Sequence, residues 1–300
     1  MSIQGVFAPI PTSFTDTGEL DLAGWRSNIT RWMGTRLHGL VVLGSNGEAP
    51  LIDDDEAERL IGEARQQIQS DRLLIAGTGR QSTRATIEAS RRAGQVGADL
   101  VLVRTPSYFK SQLTTSAFID HYTAVADASP VPVLLYNFTA VTGVRLPVEA
   151  VAELAGHANI VGIKESGPDL SYVGDLVGLA GDGFSVLVGS APTFLSSLVL
   201  GADGGILALA SVAPDECLQI YDFVRAGSFD EALAMQRSVT PLAKLVTSIY
   251  GVPGLKAALA EIGYIGGIPR MPLLPLEAGP VAQIREQVAQ LQAVSSSVIS

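Results

Sequence analysis

One unit recurs along this chain: a short run rich in Val, Ile and Leu, then a turn, then an amphipathic helix. The apolar runs cover residues 6–10, 37–43, 73–76, 100–103, 133–136, 160–163, 185–188 and 204–208. They are nearly continuous in apolarity, as parallel strands covered on both faces must be. Helices fit between them. Ala57, Leu60, Ile61, Ala64 and Ile68 share one helical face, and Asp53-Asp54-Asp55-Glu56 just before it suits a helix N-terminus. Ala85, Ala89, Ala93 and Val96 predict a second face, opened by Ser82. Phe118, Tyr122 and Val125 predict a third, and Val148, Val151, Ala152 and Ala155 a fourth. Alternation of this kind, eight times over, predicts an α/β fold of the closed (β/α)8 TIM-barrel type, with a doubly wound open sheet as the alternative.

From about residue 214 the pattern turns wholly helical. Ala232, Met235, Val239, Leu242 and Val246 are spaced 3,4,3,4, and Val281, Ile284, Val288 and Leu291 continue the theme. A barrel needs one helix to close. The reading is therefore a barrel over 1–225 and a C-terminal helical extension over 226–300, packed on the barrel or used in oligomer contacts. No linker or low-complexity tract interrupts the chain before Ser295-Ser296-Ser297.

Composition narrows the function. The 300 residues are 47% hydrophobic with a formal net charge of −10. That excludes disorder and argues against nucleic acid and anionic membrane surfaces as partners. Cys217 stands alone, and His38, His121 and His157 lie far apart, so neither a disulfide framework nor a metal site is expected. The most membrane-like window, 194–213, breaks into helix, turn and strand around Gly201, Asp203, Gly204 and Gly205. With no basic-then-apolar leader, a cytoplasmic location is expected.

A barrel gathers its reacting groups at the carboxyl ends of its strands. There the sequence sets Gly44-Ser45-Asn46-Gly47-Glu48, Thr105-Pro106-Ser107-Tyr108, Tyr136-Asn137, Lys164-Glu165-Ser166 and Gly189-Ser190. Lys164 follows Ile163 with no intervening turn. Inside a barrel its ammonium would be desolvated and its pKa lowered, giving the neutral amine that Schiff-base chemistry requires. At a strand end it could equally reach solvent or pair with Glu165. Tyr136 offers a phenol for proton transfer, or is a core tyrosine with a satisfied hydroxyl. Ser45 adds a hydroxyl at a glycine-flanked turn able to hold a carboxylate, or is ordinary turn chemistry. Other motifs fail. Gly77-Thr78-Gly79 reaches Ser82 where a dinucleotide fingerprint needs glycine, and Leu43 two before Ser45 breaks a GxSxG elbow.

The chain resembles the dihydrodipicolinate synthase/N-acetylneuraminate lyase superfamily of class I Schiff-base aldolases. The resemblance runs from Gly5-Val6-Phe7-Ala8-Pro9 to about Leu276. It rests on residues 44–48, Tyr136-Asn137 with Thr142-Gly143, residues 160–165, Gly189-Ser190 and Gly204-Gly205-Ile206. It implies a covalent imine between Lys164 and pyruvate or a similar ketoacid, with no cofactor and no metal. It implies Tyr136 as the acid/base, and Ser45 and Asn46 as holders of the ketoacid carboxylate. Ser45 would relay protons toward Tyr108 of a neighbouring subunit, so a homodimer or homotetramer is expected. Gly189 and Ile206 would line the pocket, and Asn46 and Ser166 are candidates for the hydroxyl or distal carboxylate. Synthases of this superfamily carry an arginine in a YNxPxRTG motif, where this chain has Val141. They also carry two threonines where it has Ser45-Asn46. These departures, with Lys164-x-Ser166-Gly167 and residues 250–256, look most like 4-hydroxy-2-oxoglutarate aldolases. Dihydrodipicolinate synthase, other sugar-acid ketoacid aldolases or dehydratases, and a silent ketoacid-binding barrel are the alternatives.

Overall fold

The computed structural model describes residues 2–298 apart from residue 182, and the side chains of residues 295–298 lie outside the description. The strands are β1 (Gly5–Pro9), β2 (Gly39–Val42), β3 (Leu73–Gly77), β4 (Leu100–Arg104), β5 (Val133–Asn137), β6 (Ile160–Glu165), β7 (Ser185–Val188) and β8 (Gly204–Ile206). They pair in parallel and in sequence order, and β8 closes on β1 through Gly5↔Gly204 and Phe7↔Ile206. Closure removes every sheet edge, and the open-sheet alternative is excluded. The predicted run 37–43 shortens at its end because Leu43 adopts a left-handed backbone, φ 56°.

Side chains alternate between two cores. Phe7, Val41, Ile75, Leu102, Leu134, Leu187 and Ile206 fill the interior. Val6, Val42, Leu74, Val101, Val103, Leu135 and Val186 face the helical layer. Each strand is thus apolar on both faces, which is why the sequence shows continuous runs and not alternation.

The helices are α1 (Leu22–Met33), α2 (Asp54–Gln67), α3 (Thr83–Gln95), α4 (Thr115–Ala128), α5 (Thr139–Thr142), α6 (Val148–Leu154), α7 (Leu170–Leu179), α8 (Phe194–Val199) and α9 (Pro214–Ala226). After them come α10 (Phe229–Lys244), α11 (Gly251–Glu261) and α12 (Ala278–Val298). Helix α2 opens with a capping box, in which Asp53 accepts from the Glu56 amide and Glu56 reaches back to the Asp53 amide. Ser82 caps α3 as expected.

Two helices turn differently from the sequence expectation. In α3 the buried stripe is Thr86, Ser90 and Ala93, while Ala85 is exposed. The hydroxyls can be buried because each is satisfied locally. Thr86 donates to the Ser82 carbonyl at 2.9 Å, Ser90 donates to that of Thr86 at 2.8 Å, and Thr78 and Ser90 share a bond of 2.9 Å. In α6 the stripe is Ala150, Val151 and Leu154, leaving Ala152 outside, since Leu154 offers more apolar area to bury. The 194–213 window divides into α8, a turn and β8, and among the described residues no helix is long and apolar enough to cross a membrane. The helices after α9 share the outer core, contributing Met235, Val239, Leu242, Leu255, Leu259, Ile284, Val288 and Leu291.

Helix α4 carries a buried titratable group against α3. His121 Nδ1 lies 2.9 Å from the Thr83 hydroxyl, and burial pulls the imidazole down to about 4. As pH falls below the ordinary histidine range, the unfolded chain takes up a proton that the folded chain refuses. Stability is therefore lost from about pH 6.5 down to about 4, amounting to about 3 kcal/mol for this one group. Denaturant titrations between pH 7 and 4 should show a shallower loss for His121→Gln than for the parent, and equal losses would contradict the assignment.

Candidate active site

A row of three register partners crosses the carboxyl end of the barrel: Arg104 of β4 opposes Tyr136 of β5, and Tyr136 opposes Lys164 of β6. The orientation of Lys164 depends on a slip in the ladder. Val133 pairs with Ile160, but Leu134 pairs with Gly162, so β6 carries one extra residue at Val161. Ile160 and Ile163 both face the outer core, while Val161 faces the interior. Without the extra residue, alternation from Ile160 would put Lys164 on the helix side; with it, Lys164 points into the barrel. Gly162 permits the close approach this requires, because a Cβ there would lie 2.2 Å from the Ser185 carbonyl oxygen.

Lys164 is 4% exposed, and its Nζ lies 4.4 Å from the centroid of the Tyr136 ring. Both bland readings of this lysine fail. It does not reach solvent, and Glu165 faces the other way. There Glu165 accepts from Asn137 Nδ2 at 2.5 Å and from the Gly167 amide, and burial pushes its carboxyl up. The sequence holds three other lysines. Lys110 and Lys244 are exposed, and Lys256 is ion-paired with Glu48. Among the described residues Lys164 is the buried lysine with no carboxylate partner.

Tyr136 is 3% exposed, and its hydroxyl shares a hydrogen bond of 3.2 Å with Ser45 Oγ. Ser45 sits in the turn after β2. There Thr12 donates to the Gly47 carbonyl at 2.7 Å, and Asn46 Nδ2 reaches the Pro9 carbonyl at 3.5 Å. The β7 end closes against the same lysine. A Cβ at Gly189 would lie 2.0 Å from Ser166 Oγ and 3.1 Å from Lys164 Cε, so only glycine lets this backbone lie so close. Ile206 sits in the interior cluster with Tyr136 and Leu187. Lys164, Tyr136, Ser45, Ser166, Gly189 and Ile206 are thus brought to one end of the barrel, with Asn46 in the adjoining turn.

Tyr108 is not drawn into this cluster within one chain. It is 78% exposed, stands edge-on to the exposed Phe109 ring at 5.0 Å, and its loop is held by Gln81 Oε1, which accepts from the Ser107 and Tyr108 amides. Val141, in α5 beyond β5, is 65% exposed and offers no donor.

Sequence reasoning missed two supports. The first is the bulge, whose signal was Gly162 inside an apolar strand. The second is Glu48, buried with φ 58°, whose Oε1 meets Lys256 Nζ of α11 at 2.6 Å and whose Oε2 accepts from the Arg270 amide at 2.7 Å. Burial pulls Lys256 down while Glu48 holds it up. No local signal marks that pair.

Residues 2–291 match the family model described as the dihydrodipicolinate synthetase family. The chain belongs to that family. It is therefore a class I, pyruvate-dependent lyase that works through a lysine Schiff base. It is 35% identical over 291 residues to a 4-hydroxy-tetrahydrodipicolinate synthase of Exiguobacterium sp., covering 97% of this chain and 98% of the relative. It is 33% identical over 293 residues to a protein of Emericella nidulans named "Probable 4-hydroxy-2-oxoglutarate aldolase, mitochondrial", covering 96% and 94%. Among solved structures, the family member YagE of E. coli K12, in complex with pyruvate, superposes with a TM-score of 0.90 at 28% identity, covering 97% and 99%.

Proposed function

We propose that this family member cleaves 4-hydroxy-2-oxoglutarate to pyruvate and glyoxylate through an imine on Lys164. The carrying observation is a buried lysine amine with no carboxylate partner among the described residues, beside a tyrosine bonded to a serine. The Lys164 amine attacks the C2 ketone, and the carbinolamine loses water to give the imine. Tyr136 gives its proton to the departing water, and the resulting phenolate then takes the proton of the C4 hydroxyl. The C3–C4 bond breaks, its electron pair moves into the imine to form an enamine, and glyoxylate leaves. Protonation of the enamine carbon and hydrolysis release pyruvate and restore the amine. The lysine itself is the electron sink, so the reaction needs no cofactor and no metal. Ser45 and Asn46 hold the ketoacid carboxylate, Gly189 and Ile206 line the pocket, and Asn46 and Ser166 are candidates for the substrate's distal polar groups.

Pyruvate with borohydride should trap one lysine adduct in the parent and none in Lys164→Ala. Tyr136→Phe removes only the hydroxyl and should lower kcat by about 10²–10⁴. Trapping that persists in Lys164→Ala, or turnover of Tyr136→Phe within twofold of the parent, would sink these assignments.

Condensation of pyruvate with aspartate semialdehyde is the second reading, favoured by the name of the Exiguobacterium relative. Against it stands Val141 at the position where synthases carry an arginine, since valine cannot pair a carboxylate. The two substrates should be compared side by side. kcat/KM is expected to be higher for hydroxyoxoglutarate cleavage, and a clear preference for the semialdehyde would put the synthase first.

The exposed Tyr108–Phe109 pair supports an assembly in which Tyr108 extends the Ser45 relay of a neighbouring copy. Sedimentation at working concentration should give a homodimer or homotetramer; a fully active monomer would contradict the shared tyrosine.

A further inference from the structure

A cation holds a distal carboxylate more strongly than neutral donors do, and Val141 supplies none. Three basic side chains could supply one. Arg145 is committed elsewhere, pairing with Asp169 at 2.9 Å and lying over the Tyr172 ring at 4.7 Å. Lys110 is exposed, on the short turn Lys110–Gln112. Arg104 differs from both. On β4, Leu100 and Leu102 face the interior while Val101 and Val103 face the helices, so alternation turns Arg104 inward. It is the direct register partner of Tyr136, which is the register partner of Lys164. Gly79, after β3, makes room for it, because a Cβ there would lie 2.7 Å from Arg104 Cγ. The guanidinium is half-buried, and among the described residues it has no carboxylate and no hydrogen-bond acceptor. Burial pulls it below the ordinary arginine range, and its close neighbour Arg80 adds to this while itself pairing with Asp54. A half-buried guanidinium without a partner is costly to keep, and a bound carboxylate would supply the missing acceptors in a bidentate pair.

We propose that Arg104 is the specificity-determining residue that binds the distal carboxylate of the substrate, taking the part for which Val141 has no donor. This rests on the reading that Lys164 forms the imine. Position supports the assignment: one end of a dicarboxylate is fixed at Lys164, and Arg104 stands two strands away on the same face and level. The carboxylate bound by Ser45 and Asn46 is the other, proximal one.

The test compares 2-oxoglutarate with 2-oxopentanoate, which differ only in a distal carboxylate against a methyl group. Borohydride trapping at graded concentrations gives the half-saturation of each. The parent should favour 2-oxoglutarate by about ten- to a hundredfold, the worth of a charge-assisted pair. Arg104→Met should bring the ratio close to one, and Arg104→Lys should restore part of it. A merely structural role would weaken both ketoacids alike and leave the ratio standing. No preference in the parent, or an unchanged ratio in Arg104→Met, overturns the proposal. If Arg104→Met does not fold, the parent ratio and that of Arg104→Gln decide in the same way. Pyruvate trapping in the parent separates the two readings: if it fails, the imine assignment falls, whereas a flat ratio with intact trapping rejects Arg104 alone.

Discussion

One extra residue in β6 decides what chemistry the barrel can hold. Closed parallel barrels place side chains strictly in or out, and a slip of one residue reverses every side chain beyond it. The slip at Val161 is fixed by pairing on both sides. Leu134 opposes Gly162 on β5, and Gly162 opposes Ser185 on β7. With the phase set in this way, Ile163 joins the outer core, while Lys164 enters the interior. An ammonium facing the apolar helical layer would carry an effective penalty of several kcal/mol with nothing to offset it. Inside, it meets the face of the Tyr136 ring and the backbone at Gly189.

The turn that carries Ser45 is held by the far end of the chain. Leu43 and Glu48 bracket it with φ of 56° and 58°, conformations that cost a non-glycine residue about 1–3 kcal/mol each. Glu48 is anchored by Lys256 and by the Arg270 amide, and Lys256 also donates to the Ile268 carbonyl at 2.7 Å. Arg270 in turn grips Glu56 at the start of α2. Removing one member of a buried ion pair costs about 3–5 kcal/mol, enough to outweigh the strain it restrains. The helices after α9 are thus part of the site's rigidity, although they contribute no residue to the row of Arg104, Tyr136 and Lys164.

Much of this was legible in the sequence, for identifiable reasons. The eight runs could be read because both faces of each strand are buried, and Asp53 and Ser82 could be read because capping is local. The stripe of α3 could not. Apolarity pointed to Ala85 and Ala89, but Thr86 and Ser90 are buried with hydroxyls satisfied within a turn, which hydropathy does not record. Lys164 and Tyr136 announced themselves by position at strand ends. Their orientation did not, since it depends on a pairing slip between two strands. The Glu48–Lys256 pair joins segments distant in sequence, and no spacing rule reaches across that interval.

The overall charge of −10 is at odds with a site for anionic ketoacids only if charge is averaged over the surface. At physiological salt, exposed charges are largely screened beyond about 8 Å, so the inward groups dominate. The inward guanidinium is that of Arg104, register partner of Tyr136. The nearby carboxylates are removed from the cavity in two ways. Glu48 is neutralised by Lys256, and Glu165 is turned outward onto Asn137 and Gly167. The second removal rests on the same bulge that turns Lys164 inward. Were β6 in unbroken alternation, Ile163 and Glu165 would face the interior and Lys164 would leave it. The barrel would then present a carboxylate to an anionic substrate and no amine to its ketone. A single residue of register separates an interior that holds an amine beside a guanidinium from one that holds a carboxylate.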